Sequence, residues 1–349
     1  MPEKMRSILV GMGGVSGGMS RILQTKPWHQ FVGVVDVRDE ALDHAGETLS
    51  LPKSARFKDL QATLDTIEAD TILINTPSEL HYAQTKAALE AGVSPLVAKP
   101  ITNNYEEAVE LVELAREKGV KLCVGQQVRF FRHYLAVRQF IESGQLGQIE
   151  QLFFFNSKPR HKALNLVGMT HPALYEMSCH HFDSIMSLFP DAVPESIVCD
   201  GFQPSWSVYD GPCMINGIIR FSGDLHALYH GGFSSQSDCY EVRLEGTKGV
   251  LRCRGLHMSK NEMTNEFAPR GGDFSESDMD NDIPITQPWD IFFDRWYDYL
   301  NGGEEPSFSG RNNLKVFALL SAAIDSIQNN CYVDVANNPR YANAFQGAI

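Results

Sequence analysis

The stretch "ILVGMGGVSGG", Ile8 to Gly18, sets an apolar run directly against five glycines. Such a run predicts a strand, and the glycines predict a turn too tight for side chains. Gly11 would let the chain turn sharply, Gly13 would let backbone approach a ligand, and Ser16 is small enough for a following helix to pack on the strand. A second apolar run, "FVGVVDVRDE" from Phe31 to Glu40, ends on Asp36 at the spacing where an acid receives ribose hydroxyls. The whole unit predicts a pyrophosphate at a helix N-terminus. A plain turn acid or helix cap is the competing reading of Asp36. A carboxylate there repels a 2'-phosphate, so NAD is expected over NADP, and Arg38 works in the opposite direction.

Outward from this unit, "TILINTP", "SPLVAKP" and "VKLCVGQ" read as further strands, while "ELHYAQTKAALEAG" and "NNYEEAVELVELAREKG" read as amphipathic helices closing on glycine. Alternating strands and helices with unbroken apolar runs predict a doubly wound parallel sheet covered on both faces. After Gly147, strand-like runs separated by Gly, Pro and Ser surround one helical segment, "PALYEMSCHHFDSIMSLF". These predict a second, α+β domain with a large, mostly antiparallel open sheet. The expected division is 1–130 for the doubly wound domain and 131–349 for the second. The closing helices "PWDIFFDRWYDYLNGG" and "NNLKVFALLSAAIDSIQNN" are assigned to the second, with the last helices also candidates to pack back on the first. Residues 258–288, with five acids in "DFSESDMDND", read as a solvated loop rather than a calcium site.

A formal charge of -13 makes nucleic acid and anionic membrane poor partners. No cleavage site follows the basic start and no run is long enough to span a bilayer, so a cytoplasmic location is expected. Seven cysteines form no C-x-x-C pair and read as reduced thiols.

The ordered series "GMGGVS", "VVDV", "NTPSELHYAQTKAALEAG", "VAKP", "GQQVRFFRHY", "SGQLG", "YEMSCHHFD", "LEGTKGVL" and "LLSAAIDSI" resembles the Gfo/Idh/MocA oxidoreductases, which include inositol and sugar dehydrogenases and glucose-fructose oxidoreductase. The resemblance implies a Rossmann domain over 1–130, a substrate-binding and oligomerisation domain over 131–349, and a homodimer or homotetramer formed through the C-terminal sheet. It implies NAD(P) contacts at Gly11, Gly13, Gly14, Val15, Ser16, Asp36, Val37, Arg38, Asn75, Thr76, Pro77, His81, Ala98, Lys99, Pro100 and Gln127. The family's Lys-Pro lysine maps onto Lys99, and its D-x-x-x-H-x-x-D helix maps onto Glu176, His180 and Asp183. Two positions depart from that pattern: Ala98 replaces a glutamate, removing a polar cofactor contact, and Glu176 replaces an aspartate, keeping the charge on a longer arm.

Oxidising a secondary alcohol requires a base for the hydroxyl proton. Imidazole suits that role because its unperturbed pKa is about 6.5. On a helix Glu176 and His180 share a face that Asp183 continues, while His181 points about 100° away. A satisfied core histidine is the competing reading of His180. A metal held by Cys179, His180, His181 and Asp183 fails because neighbouring helix positions diverge. Lys99 ends a strand, where an ammonium can hold a substrate hydroxyl, and Pro100 stops further pairing. Arg129, Asn156, Lys158, His230 and Tyr240 are substrate-side candidates, Arg129 reading equally well as a salt bridge. The expected activity is hydride transfer between nicotinamide and a secondary hydroxyl of a sugar, inositol or polyol. The alternatives are an NAD-dependent glycoside hydrolase or epimerase working by transient oxidation, and a non-catalytic NAD- or sugar-binding regulator.

Overall fold

The computed structural model describes residues 4–14, 16–162, 166, 168–257, 263–285 and 287–346. The chain begins β1 (Met5–Val10), α1 (Ser16–Thr25), β2 (His29–Val35), α2 (Asp39–Thr48), β3 (Arg56–Phe57), α3 (Leu60–Thr66), β4 (Thr71–Ile74), α4 (His81–Glu90), β5 (Ser94–Val97), α5 (Tyr105–Lys118) and β6 (Cys123–Val124). It continues with α6 (Arg132–Glu142), β7 (Ile149–Pro159), a π-helical turn Leu174–Ser178 leading into α7 (Cys179–Leu188), then β8 (Pro194–Phe202), β9 (Met214–Phe221), β10 (Leu225–Gly232), β11 (Ser234–Gly246), β12 (Gly249–Gly255), β13 (Thr264–Pro269) and β14 (Ser275–Glu276). Helices α8 (Pro288–Leu300) and α9 (Gly310–Asn329) and strand β15 (Val333–Asp334) follow.

Two compact units form, one from residues up to Gln126 together with Trp289–Leu314, the other from Gln127–Pro288 together with residues from Lys315 on. In the first, six parallel strands lie in the order β3-β2-β1-β4-β5-β6. The order reverses between β1 and β4, and such a switch point opens a crevice at the carboxyl ends of the strands. Every residue of β4 is buried, as a sheet covered on both faces requires. Helix α5 starts on Asn104, whose side chain accepts from the Glu107 N–H at 3.0 Å, and ends on Gly119 at φ 65°. Strand β3 escapes sequence reading because two residues carry no periodicity.

Helix α8, assigned by sequence to the second domain with packing on the first as the alternative, groups with the first unit. Lys26 holds Asp290 at 3.2 Å and Asp294 at 2.7 Å, Trp28 stacks on Tyr297 at 4.2 Å, and Phe292 stacks on Phe308 at 4.0 Å.

In the second unit nine strands form one open sheet in the order β14-β13-β12-β11-β7-β10-β9-β8-β15. All pairings are antiparallel except β7 with β10. The two-residue edge strands limit further pairing. Part of the stretch expected to be a solvated loop is therefore sheet: Glu266 on β13 bonds Arg252 at 3.0 Å and Arg254 at 2.7 Å, so cross-strand charge replaces apolar alternation. Met258 to Glu262 and Thr286 of that stretch lie outside the described residues. Cys123, Cys179, Cys199, Cys213 and Cys253 are buried thiols, while Cys239 and Cys331 are exposed. Among the described residues no helix is long and apolar enough to cross a membrane.

Candidate functional site

In the first unit the glycine turn leaves β1 at the switch point. Gly11 sits at φ 84°, and a Cβ there would meet the Asn75 carbonyl oxygen at 2.8 Å, so both conformation and space require glycine. A Cβ at Gly13 would meet no protein atom within 4 Å, so nothing in the protein itself demands glycine there. Backbone open on that side suits close approach of a pyrophosphate. The Ser16 hydroxyl donates to the Gly13 carbonyl at 2.8 Å, pinning the turn as well as packing the helix. Gly14 adopts φ 39°, and Val15 lies outside the described residues.

Asp36, at the end of β2, accepts from the Met12 N–H at 2.9 Å and from Arg38 through its backbone N–H at 3.0 Å and its guanidinium at 3.1 Å. Burial pushes its carboxyl up, but the Arg38 and Met12 hydrogen bonds outweigh that and hold it below its ordinary value. Val37 is exposed beside it. After β4, the buried amide nitrogen and oxygen of Asn75 lack a protein partner, and the Thr76 hydroxyl donates to Gln84 at 2.6 Å. Pro77 leads into a short 3-10 turn. An orphaned amide beside an open glycine turn fits a dinucleotide.

His81 does not behave as a ligand group. It is buried, with one ring nitrogen 2.7 Å from the Pro100 carbonyl and the other 2.9 Å from the Thr76 carbonyl. It therefore staples the loops that follow β4 and β5. Burial lowers its pKa although both carbonyls favour the protonated ring. Ala98 extends the β5 ladder by donating to the Ile74 carbonyl at 2.8 Å, and Lys99 follows, half-buried, joined to buried Pro100 by a cis peptide.

In the second unit the π-helical turn and α7 are buried on almost every side. Through residues 172–185 only Tyr175, Glu176 and His180 keep partial exposure. In an α-helix residues four apart are offset by about 40°. The π turn, closed by the Cys179 N–H on the Leu174 carbonyl, rotates less per residue and narrows that offset between Glu176 and His180. The core histidine is His181. Its ring lies 3.0 Å from Asn156 Nδ2 and 2.7 Å from the Tyr229 hydroxyl, which donates to Ser178 at 2.7 Å. Burial first, then the charges of Lys158 and His257, hold His181 well below its ordinary pKa. A neutral ring completes the chain: Asn156 donates to Nε2, and Nδ1–H donates to Tyr229.

Three substrate-side expectations are corrected here. Arg129 is buried and grips Asp183 with both arms of its guanidinium, one at 2.9 Å, leaving it a structural ion pair. Asn156 is fully buried on His181. Tyr240 is fully buried between the rings of His133 and Phe154, because its strand position faces the core. His230 lies on the open face, 2.8 Å from Asn216, and Lys158 is half-buried on β7. Gln127, expected to contact cofactor, falls in the second unit beside a 3-10 turn. Sequence reasoning missed Arg160, which lies 3.6 Å from Glu176. The basic run "KPRHK" in an acidic chain was its signal.

A model of an oxidoreductase family's NAD-binding Rossmann fold matches residues 5–126, and that family's C-terminal alpha/beta domain matches residues 138–335. The chain belongs to the Gfo/Idh/MocA oxidoreductase family. Its first unit is an NAD-binding Rossmann domain, and the protein is an NAD(P)-dependent oxidoreductase. Among its Gfo/Idh/MocA relatives, an inositol 2-dehydrogenase of Rhizobium meliloti is 21% identical over 78% of this chain and 84% of its own. A scyllo-inositol 2-dehydrogenase (NADP(+)) of Bacillus subtilis is 27% identical over 56% of each chain. A 2,7-anhydro-N-acetylneuraminate hydratase of Mediterraneibacter gnavus is 22% identical over 80% of this chain and 79% of its own. An Agrobacterium radiobacter oxidoreductase solved with NAD+, L-tartaric acid and magnesium superposes with a TM-score of 0.83 at 18% identity, covering 95% of this chain and 98% of that one, a likeness of fold.

Proposed function

We propose that this Gfo/Idh/MocA protein interconverts a secondary alcohol and a ketone on a sugar, inositol or related polyol, with His180 handling the proton and Lys99 holding the reacting oxygen. The observation that carries this reading is the exposure of α7 and its π turn: through residues 172–185 a segment sunk in the core opens only at Tyr175, Glu176 and His180, the last two of which carry titratable groups suited to proton transfer. NAD, when bound, accepts or returns the hydride. In the oxidative direction an imidazole nitrogen of His180 takes the hydroxyl proton, and Glu176 on the same face favours the cation that forms. The Lys99 ammonium stabilises developing alkoxide charge, from a strand end that suits ligand contact. NAD is preferred over NADP through Asp36. The open sheet of the second unit joins copies into a homodimer or homotetramer, a reading supported by exposed Phe155, Val198, Phe202, Ile218 and Leu228.

The test follows reduced-cofactor absorbance with NAD and a panel of cyclic polyols and aldoses. His180→Ala is expected to lower kcat by about 10²–10⁴-fold with NAD affinity retained, and Lys99→Ala to lower kcat comparably. Tight NAD binding without turnover of any panel member sinks this reading. A redox-neutral reaction is the second reading, supported by the hydratase relative. Protein that purifies with NAD and converts an anhydro sugar or glycoside without net cofactor change would establish it.

A further inference from the structure

Resting on the dehydrogenase reading above, we infer that the substrate carries an oxyanion, a carboxylate or a phosphate, and that Arg160 receives it. The chain bears a formal charge of -13, yet Lys158, Arg160, His161 and Lys162 place four basic side chains within five positions where β7 ends. The average surface repels anions. This segment reverses that field beside the helix that presents Glu176.

Arg160 is held in a defined pose. Its backbone N–H donates to the Phe233 carbonyl at 2.9 Å, and its guanidinium carbon lies 3.9 Å from the centre of the Phe233 ring. The ring contact holds the guanidinium in place, and the N–H fork of a guanidinium matches a carboxylate or phosphate bidentately. The Glu176 carboxylate stands 3.6 Å away, longer than the about 2.7–2.9 Å of a charge-assisted hydrogen bond. That contact orients Arg160 by charge and leaves an incoming oxyanion able to compete for the fork. Both side chains are reachable, 26% and 33% exposed. Glu176, one methylene longer than the family's usual aspartate, is the carboxylate that meets Arg160. A neutral hydroxyl can use one N–H of this arginine, whereas the paired donors of its fork are matched by the two oxygens of an acidic or phosphorylated sugar.

The experiment titrates NAD-loaded protein with D-glucuronate, D-glucose 6-phosphate and D-glucose by calorimetry, in the wild type, Arg160→Gln and Arg160→Lys. One anionic probe is expected to bind about 10–100-fold more tightly than glucose, and which one does so names carboxylate or phosphate. Arg160→Gln should abolish that preference, while Arg160→Lys, which keeps the charge without the fork, should retain part of it. Thermal melting without ligand confirms folding, and if the glutamine variant fails to fold, the lysine variant carries the test. Equal binding or no binding of the three probes by the wild type overturns the inference, as does an anion preference unchanged in a folded Arg160 variant. Wild-type turnover of a neutral polyol without any anion preference would remove the oxyanion subsite and leave the dehydrogenase reading standing. An Arg160-dependent anion preference in a protein that turns over no alcohol would do the reverse.

Discussion

In the proposed cofactor site, Asp36 and Arg38 impose opposite conditions on the adenosine end of a dinucleotide. Ribose hydroxyls that bind Asp36 must share its oxygens with the Arg38 guanidinium, while a 2'-phosphate meets an arginine that offsets the carboxylate. Arg38→Ala is expected to lower kcat/KM for NADP relative to NAD by about tenfold, since one charge-assisted hydrogen bond is worth about 1.5–3 kcal/mol. Competing cofactor kinetics measure it. Buried histidines give a second prediction. His133 is buried with no partner for either ring nitrogen, and burial pushes its pKa down to about 4; His29 is pushed to about 4 by burial and by Lys4. Each folded-state pKa lies below the unfolded value of about 6.5. Protons therefore bind the unfolded chain first, and stability present above about pH 6.5 is lost as pH falls toward about 4. Urea midpoints at several pH values should show this loss, and His133→Phe should reduce it. The glycines and Asp36 were legible because a tight turn and a charged cap constrain residue type locally. His81 was not, because its two carbonyl partners come from loops that only tertiary packing brings together.

At the scale of elements, the π turn sets how α7 leaves the core. A tyrosine from β10 and a serine inside the turn hold it through the His181 chain, so the wide turn depends on the sheet beneath it. Spacing alone made Glu176 and His180 legible as one face; the extra width was invisible because it depends on β10. The Arg129–Asp183 pair ties the turn Val128–Phe130 to α7. Asp183→Asn leaves a buried guanidinium poorly matched, and chemical denaturation is expected to report a loss of about 3–5 kcal/mol. Replacing Arg129 with Met in the same chain should recover part of that loss. Strand β13 was read as loop for a related reason: its stabilisation comes from Arg252 and Arg254 across the ladder, which no periodicity within the strand encodes.

Across the whole molecule, the open sheet divides chemically along its rows. Val198, Ile218, Leu228 and Phe153 are successive register partners, and the same row continues through Arg243, Arg252 and Glu266. The apolar half suits burial against a like surface. Ile218→Glu with Leu228→Glu is expected to lower the mass measured by light scattering to that of one chain, and an unchanged mass would refute the sheet contact. The first unit, by contrast, is discontinuous. Lys26 and Trp28, near the start, meet Asp290, Asp294 and Tyr297, which lie some 260–270 positions later. A fragment of residues 1–130 should accordingly melt at a lower temperature than the whole protein, and adding a peptide of residues 287–314 should raise that temperature. During synthesis, the domain that emerges first has to wait for almost the entire chain. The first unit is thus completed only when α8 has been made, and a ribosome that stops at Pro288 releases a nucleotide domain still missing one of its walls.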